Sequence, residues 1–278
     1  MKNSVLEISS KGLYSSWAYH KPSRTLFDCG EGLATYQGNY LYGIERVMIS
    51  HGHGDHVLGI PSLIGCRNSA RGDREKPLTI YYPYGDRLVE MVRDFTKLRN
   101  DRLRYDVEWK PIMPGFTIDL GNNQCIEAFE MNHQKGNRIT LGYRIREKRH
   151  KLRPEYVGKD IPGLLRSGVP KDELKVWYTA TTFVYALDAF YIEPSILEGA
   201  DLVVMDCTFV VPEDRDDDTH YTLQEAYDVC KSVNVKKMVA AHFSPRYLYP
   251  DIKNAVEKLN SKSSNYVIPV YHNQVTEI

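Results

Sequence analysis

The 278 residues carry 36 Lys and Arg against 36 Asp and Glu, so no global basicity announces a polyanionic partner, and any nucleic-acid contact must come from a local patch. Five cysteines, Cys29, Cys66, Cys125, Cys207 and Cys230, are odd in number and lack Cys-x-x-Cys spacing, which fits a reducing cytosol better than a disulfide framework. No stretch approaches the ~18 apolar residues of a membrane span and no apolar leader opens the chain, so it reads as a soluble cytoplasmic protein with no membrane partner.

The chain begins as a meander. Ser4 to Ile8, Leu13 to Tyr19 and Arg24 to Cys29 read as three strands, the last ending in the tight turn Asp28-Cys29-Gly30-Glu31-Gly32. The apolar run Val47-Met48-Ile49-Ser50 reads as a buried strand and leads directly into His51-Gly52-His53-Gly54-Asp55-His56. Imidazole and carboxylate at this density suit zinc and neighbouring divalent metals, and the C-terminal end of a strand is where open α/β sheets place ligands. The loop is followed by a helix from Ile60 to Arg67, a strand from Leu78 to Tyr82, and an amphipathic helix from Asp86 to Leu98 with Asp86 as its N-cap. Tyr105 to Phe129, punctuated by Pro111, Pro114 and Gly115, reads as two or three short antiparallel strands ending near His133.

Thr140 to Ile145 is a strand running into the most basic stretch of the chain, Arg144, Arg146, Lys148, Arg149, Lys151 and Arg153 against the single acid Glu147. From there to Asp172 apolar residues are sparse and Gly and Pro recur, so residues 146–175 are expected to form an inserted arm whose charges neutralise phosphates. Val176 to Thr179 and Thr182 to Leu187 are strand runs, the second ended by Asp188. Glu193 to Gly199 is expected as a helix before the strand Asp201 to Met205. Asp206 and an acidic loop, Glu213 to Asp218, precede His220 and a helix from Thr222 to Lys231. Lys237 to Ala241 is a strand ending at His242, with a helix from Lys253 to Leu259 and a strand from Tyr266 to Tyr271 closing the chain.

The His-x-His-x-Asp-His pattern resembles the signature of the metallo-β-lactamase-fold hydrolases. Asp28-Cys29-Gly30-Glu31-Gly32, the basic arm and His242-Phe243-Ser244-Pro245-Arg246-Tyr247 resemble the ribonuclease Z members of that group. The resemblance spans essentially the whole chain and implies one α/β domain, 1–278, of αββα type: two facing mixed sheets covered by helices, with the arm projecting. It implies two divalent metal ions, most readily Zn, with Mn or Fe as alternatives. His51, His53 and His133 would hold one and Asp55, His56 and His242 the other. The family's bridging Gly-Asp-Ser/Thr triplet is missing. Asp188 is favoured for that role over an uncharged site at Ala180 to Thr182. Asp28 would fix a ligating imidazole, Asp55 would also handle a proton, His220 would protonate a leaving oxygen with Asp206 orienting it, and Arg246 would pair with phosphate. The implied activity is cleavage at the 3′ end of precursor tRNA by a homodimeric enzyme, leaving a 3′-hydroxyl. A small-diester or cyclic-nucleotide phosphodiesterase, and an RNA-binding relative with decayed catalysis, are the alternatives.

Overall fold

The computed structural model describes residues 4–133, 138–215, 218–263 and 266–278; Asp216 and Asp217 of the acidic loop lie outside them. Strands β1 (Leu6–Lys11), β2 (Ser15–His20), β3 (Thr25–Phe27), β4 (Arg46–Met48), β5 (Leu78–Pro83) and β6 (Val107–Ile112) make one sheet. Strands β7 (Thr117–Gly121), β8 (Gln124–Met131), β9 (Thr140–Leu152), β10 (Lys175–Ala186), β11 (Leu202–Asp206), β12 (Met238–Ala241) and β13 (Val267–Pro269) make the second. A short β14 (Thr276–Glu277) returns to the edge of the first sheet and pairs with β1.

Residue alternation builds the layers. Along the strand Val47-Met48-Ile49, Met48 faces the other sheet, where it joins Phe27, Tyr143, Phe183, Tyr185 and Val239. Val47 and Ile49 face outward, where they pack with Ile60, Leu63, Ile64 and Val89 of α3 (Ile60–Arg71) and α4 (Arg87–Arg99). On the far side, Val203, Met205 and Ala240 point to α6 (Leu223–Ser232) and α7 (Tyr249–Asn260). Each fully buried Val, Leu or Phe contributes roughly 1.5–3 kcal/mol, so three apolar layers hold four layers of structure together as the expected αββα sandwich. The helix ends follow from their caps: the Asp86 carboxylate accepts from Leu88 and Val89 N–H, and Thr222 with Glu225 forms a capping box.

Several expectations need correction. β6 is parallel to β5 and lies in the first sheet, whereas β7 and β8 are antiparallel in the second. The intervening α4 requires this, since a helix between two strands returns the chain in the same direction. Glu193 to Gly199 holds only a 3-10 turn, Pro194–Ile196, and the segment ends at Gly199 in the left-handed region at φ 63°. The two runs around Thr181 are one strand, β10, with a bulge between Thr181 and Phe183. A short α1 (Leu33–Gln37), entered through Gly32 at φ 84°, and a single-turn α2 (Gly54–Val57) within the histidine loop were not expected. The apolar stripe of α4 is half used: Val89 is buried, while Met91, Phe95 and Leu98 stay exposed.

The arm is built from β9 and β10, which pair from Tyr143/Tyr185 out to Leu152/Lys175, well past the last core residues. Its end carries a 3-10 turn, Pro154–Tyr156, and a short α5 (Ile161–Arg166). The basic run is therefore extended ladder, not loop.

Candidate metal centre

The parallel pairing of β3 with β4, and of β10, β11 and β12, brings their C-terminal ends to one rim. β8 is antiparallel to β9, which is antiparallel to β10, so β8 ends at that rim too. Asp28, the His51 to His56 loop, His133, Asp188, Asp206 and His242 all follow these ends. Asp28, Asp188 and His242 each sit at positive φ, 55°, 57° and 64°. Non-glycine residues in this region cost of order 1–3 kcal/mol each and persist where the surroundings over-determine them. Here the left-handed step swings each side chain into the cleft between the sheets.

Three overlapping donor sets result, one of them joining Asp188 and His242 to Asp206 and His220. One ligand atom from each of His51, His53, His133 and Asp188 lies within 4.8 Å of the others, and the same holds for Asp55, His56 and His242. Asp188 stands between these two sets. Its Oδ2 is 3.5 Å from His51 Nε2, 3.3 Å from His56 Nε2 and 3.6 Å from His133 Nε2, and its Oδ1 is 3.0 Å from His242 Nε2. Asp55 Oδ2 is 3.4 Å from both His56 Nε2 and His242 Nε2.

Four rings are held from behind. His56 Nδ1–H donates to Asp28 Oδ2 at 2.7 Å. Ser50 Oγ donates to the same oxygen and accepts from His51 Nδ1 at 3.0 Å. His133 Nδ1 donates to Thr219 O, and His242 Nδ1 to Thr208 Oγ1, which in turn donates to Asp206. With Nδ1 committed as donor, each Nε2 presents a lone pair inward.

The donor set fits divalent cations. His51 Nε2, His56 Nε2, His133 Nε2 and Asp188 Oδ1 are buried without a hydrogen-bond partner, although buried polar atoms are normally satisfied. Asp28, Asp55, Asp188 and Asp206 are 10% exposed or less, and their ion-pair partners among the described residues are all histidines. Buried charges require pairing or a metal. Burial, with His56 and His133 nearby, holds His51 well below the ordinary imidazole range. Burial also works to lower His56, but Asp188, Asp28 and Asp55 outweigh it and raise the ring well above. For Asp188 burial works upward and is outweighed by His242 and His56, which hold the carboxyl well below its usual value. The cleft is thus an electrostatic well for positive charge.

Beside it lies a second element. His220 Nδ1 is 2.6 Å from Asp206 Oδ2, and its ring stacks on His242 with centroids 5.4 Å apart. Asp206 also accepts from the backbone N–H groups of Ala189 and Thr208, so it ties the turn after Asp188 to the His220 loop.

A family model described as a beta-lactamase superfamily domain matches residues 23–153. The structure resembles the metallo-β-lactamase fold protein YhfI of Bacillus subtilis, with a TM-score of 0.65 at 18% identity over 98% of this chain and 99% of that one. It likewise resembles human tRNase Z, short form, with a TM-score of 0.60 at 18% identity over 97% and 98% of the two chains. In sequence, ribonuclease Z of Halorubrum lacusprofundi is 30% identical over 251 residues, covering 81% of this chain and 78% of that protein. The chain belongs to the ribonuclease Z family. Ribonuclease Z of Thermococcus onnurineus is also 30% identical, over 84% of this chain and 79% of its own.

The ribonuclease Z resemblance placed Asp28, His51, His53, Asp55, His56, His133, Asp188, Asp206, His220 and His242 in one site, and the structure brings all ten together. The remaining assigned residues are not members of the donor sets. Arg246 is exposed, with Nη1 donating to Asp214 O and its guanidinium over Phe209. In the arm, Arg144 and Arg146 both pair with Glu127 of β8, and Arg149 pairs with Glu147 and Asp201. Arg153 reaches Glu155 at 3.9 Å, while Lys148 and Lys151 lie over Trp177 and Tyr178. Ser50, Thr208 and Tyr185 were missed. Tyr185 donates to Asp28 at 2.8 Å from the opposite sheet. Gly30 and Gly59 explain part of the turn's composition: a Cβ at Gly30 would lie 2.4 Å from Asp55 O, and one at Gly59 2.1 Å from Gly30 O. The Asp28 turn and the histidine loop pack backbone on backbone.

Proposed function

We propose that this chain is a dinuclear metal-dependent endoribonuclease that cuts the phosphodiester at the 3′ end of precursor tRNA and leaves a 3′-hydroxyl. The observation that carries this reading is the convergence of two cation sets on Asp188 with a separate imidazole–carboxylate pair beside them. His51, His53 and His133 would hold one ion, Asp55, His56 and His242 the other, and Asp188 would contact both. Nitrogen-rich sets of this kind favour zinc, with Mn and Fe as alternatives. When bound, such ions neutralise the charge developing on phosphorus and lower the pKa of water.

The chain's own groups do the rest. His220, with Nδ1 held on Asp206, would protonate the departing 3′ oxygen. Asp55, at the edge of the second set, is placed to take the proton of attacking water. The arm holds the RNA body away from the scissile bond. In its basic run Lys148 and Lys151 have no carboxylate partner among the described residues, and neither have Lys159, Lys171 and Lys175 further along the arm. A homodimer acting in the cytoplasm completes the proposal, supported by the family resemblance and by five unpaired cysteines. Among the described residues no helix is long and apolar enough to cross a membrane.

The test is a comparison of precursor tRNA with a chromogenic phosphodiester. The wild type is expected to cut the RNA once and leave a 3′-hydroxyl. Deleting residues 147–172 is expected to abolish this while hydrolysis of the small ester continues. A wild type that hydrolyses the ester and leaves precursor tRNA untouched would overturn the tRNA reading in favour of a small-diester enzyme.

A further inference from the structure

A cleft of about 260 Å³ opens at the rim beside His242, away from the arm, lined by Lys11, Leu248, Tyr249, Tyr271, Asn273 and Gln274 among others. Its walls are pinned to the residue after His242. Gly12 N–H donates to Phe243 O at 3.1 Å, and His272 Nε2 donates to the same carbonyl at 3.0 Å. A Cβ on Gly12 would stand 3.5 Å from His242 Cε1, so Lys11 is one residue from the edge of the second donor set.

The lining has a mixed chemistry. Tyr249 and Tyr271 lie ring against ring with centroids 4.4 Å apart, and Tyr249 is 50% exposed. Asn273 and Gln274 are exposed, and neither amide makes a side-chain hydrogen bond among the described residues. Lys11 has no carboxylate partner among them either; its ammonium lies 4.2 Å from the centre of the Tyr14 ring. A flat aromatic face stacks any base at about 1–3 kcal/mol, free amides read base edges, and an unpaired ammonium neutralises one phosphate.

A phosphodiester whose phosphorus lies between the two donor sets extends a substituent to either side. We propose that this cleft is a nucleotide subsite, which stacks the base of an unpaired nucleotide next to the scissile phosphate on Tyr249 and Tyr271. Asn273 and Gln274 contact the edge of that base, and Lys11 contacts the adjoining phosphate. The inference rests on the site being a phosphodiesterase and is independent of whether tRNA is the substrate.

The experiment compares two chromogenic esters, thymidine 5′-(p-nitrophenyl phosphate) and bis(p-nitrophenyl) phosphate, on metal-loaded wild type, Tyr271→Ala and the double variant Asn273→Ala/Gln274→Ala. Both variants are expected to raise KM for the nucleoside ester about tenfold or more and to leave kcat/KM for the bis ester within twofold. Binding of a fluorescein-labelled single-stranded RNA tetranucleotide, followed by anisotropy, should weaken by a similar factor in each variant. That second readout needs no turnover and separates the inference from the tRNA reading. If precursor tRNA is not cut but the variants discriminate the esters, the subsite stands and the substrate assignment falls. Equal KM for the nucleoside ester in wild type and variants, together with unchanged tetranucleotide affinity, would overturn the subsite even if tRNA is processed.

Discussion

Replacing Asp28 by Asn tests the scaffold of the metal centre without touching a ligand. The carboxylate is fully buried and accepts four hydrogen bonds: Ser50 N–H on Oδ1, and Ser50 Oγ–H, His56 Nδ1–H and Tyr185 O–H on Oδ2. Asn has the same shape and tolerates the positive φ, so backbone strain is unchanged. Its amide has one oxygen. With that oxygen toward the three side-chain donors, three charge-assisted bonds fall to neutral strength, a loss of about 1 kcal/mol each, and Ser50 N–H meets an NH2 group, costing a further ~1–3 kcal/mol. The expected destabilisation is about 4–6 kcal/mol, read by urea denaturation of the metal-free protein. His56 is held directly by Asp28 and His51 through Ser50, so both donor sets loosen. Affinity for zinc, measured by competition with a chromogenic chelator, should fall about 10–100-fold at each. Tyr185→Phe removes one donor only and is expected to cost about 1 kcal/mol with metal affinity nearly unchanged. An Asp28→Asn protein with wild-type stability and wild-type zinc affinity would refute the argument that this carboxylate organises the rings.

His220→Ala is expected to retain its full metal content and slow cleavage by about 10²–10⁴, whereas His242→Ala should lose metal from the second set; elemental analysis alongside turnover distinguishes them. Replacing Lys148 and Lys151 by Gln should weaken binding of precursor tRNA and reduce the slope of log affinity against log salt by roughly 0.7–0.9 for each phosphate that is no longer neutralised, measured by filter binding across a salt series. Arg144→Gln, already paired with Glu127, should change that slope little. His20, buried at the opposite end of β2 and pushed down to about 4 by burial, gives a pH signature. Its folded value lies below the unfolded ~6.5, so the unfolded chain binds the extra proton between them and stability falls as pH drops through that window, by up to about 3 kcal/mol. His20→Phe should flatten this part of the curve in denaturation at pH 4 to 7, and an unchanged slope would assign the acid sensitivity elsewhere.

The His51 to His56 loop was legible because its chemistry is local, with three imidazoles and a carboxylate following one apolar strand. His133, Asp188 and His242 are single residues at strand ends, and only sheet order carries them to the same point. Asp188 is the sharpest case: no triplet marks it, and its place between the donor sets depends on β10 running parallel to β11 and on a left-handed step at its own φ. The supports could not be read. Thr208, Ser50 and Tyr185 are ordinary in sequence and acquire their partners from residues up to 157 positions away. The pairing of the arm's charges was not legible for the same reason, since Glu127 and Asp201 reach Arg144, Arg146 and Arg149 from outside the basic run, beside Glu147 within it. β6 was read as antiparallel, although it pairs parallel with β5, because alternation reports a strand's faces and not its neighbour.

The central claim is that buried imidazoles and carboxylates from both sheets make one centre for two cations. Elemental analysis of the purified protein after dialysis against metal-free buffer, repeated after saturation with zinc, measures this directly. The account predicts two ions per chain, falling to one or fewer in Asp188→Ala, where the shared carboxylate is lost. A stoichiometry that stays at or below one in the zinc-saturated wild type, or two ions retained in Asp188→Ala, would contradict it.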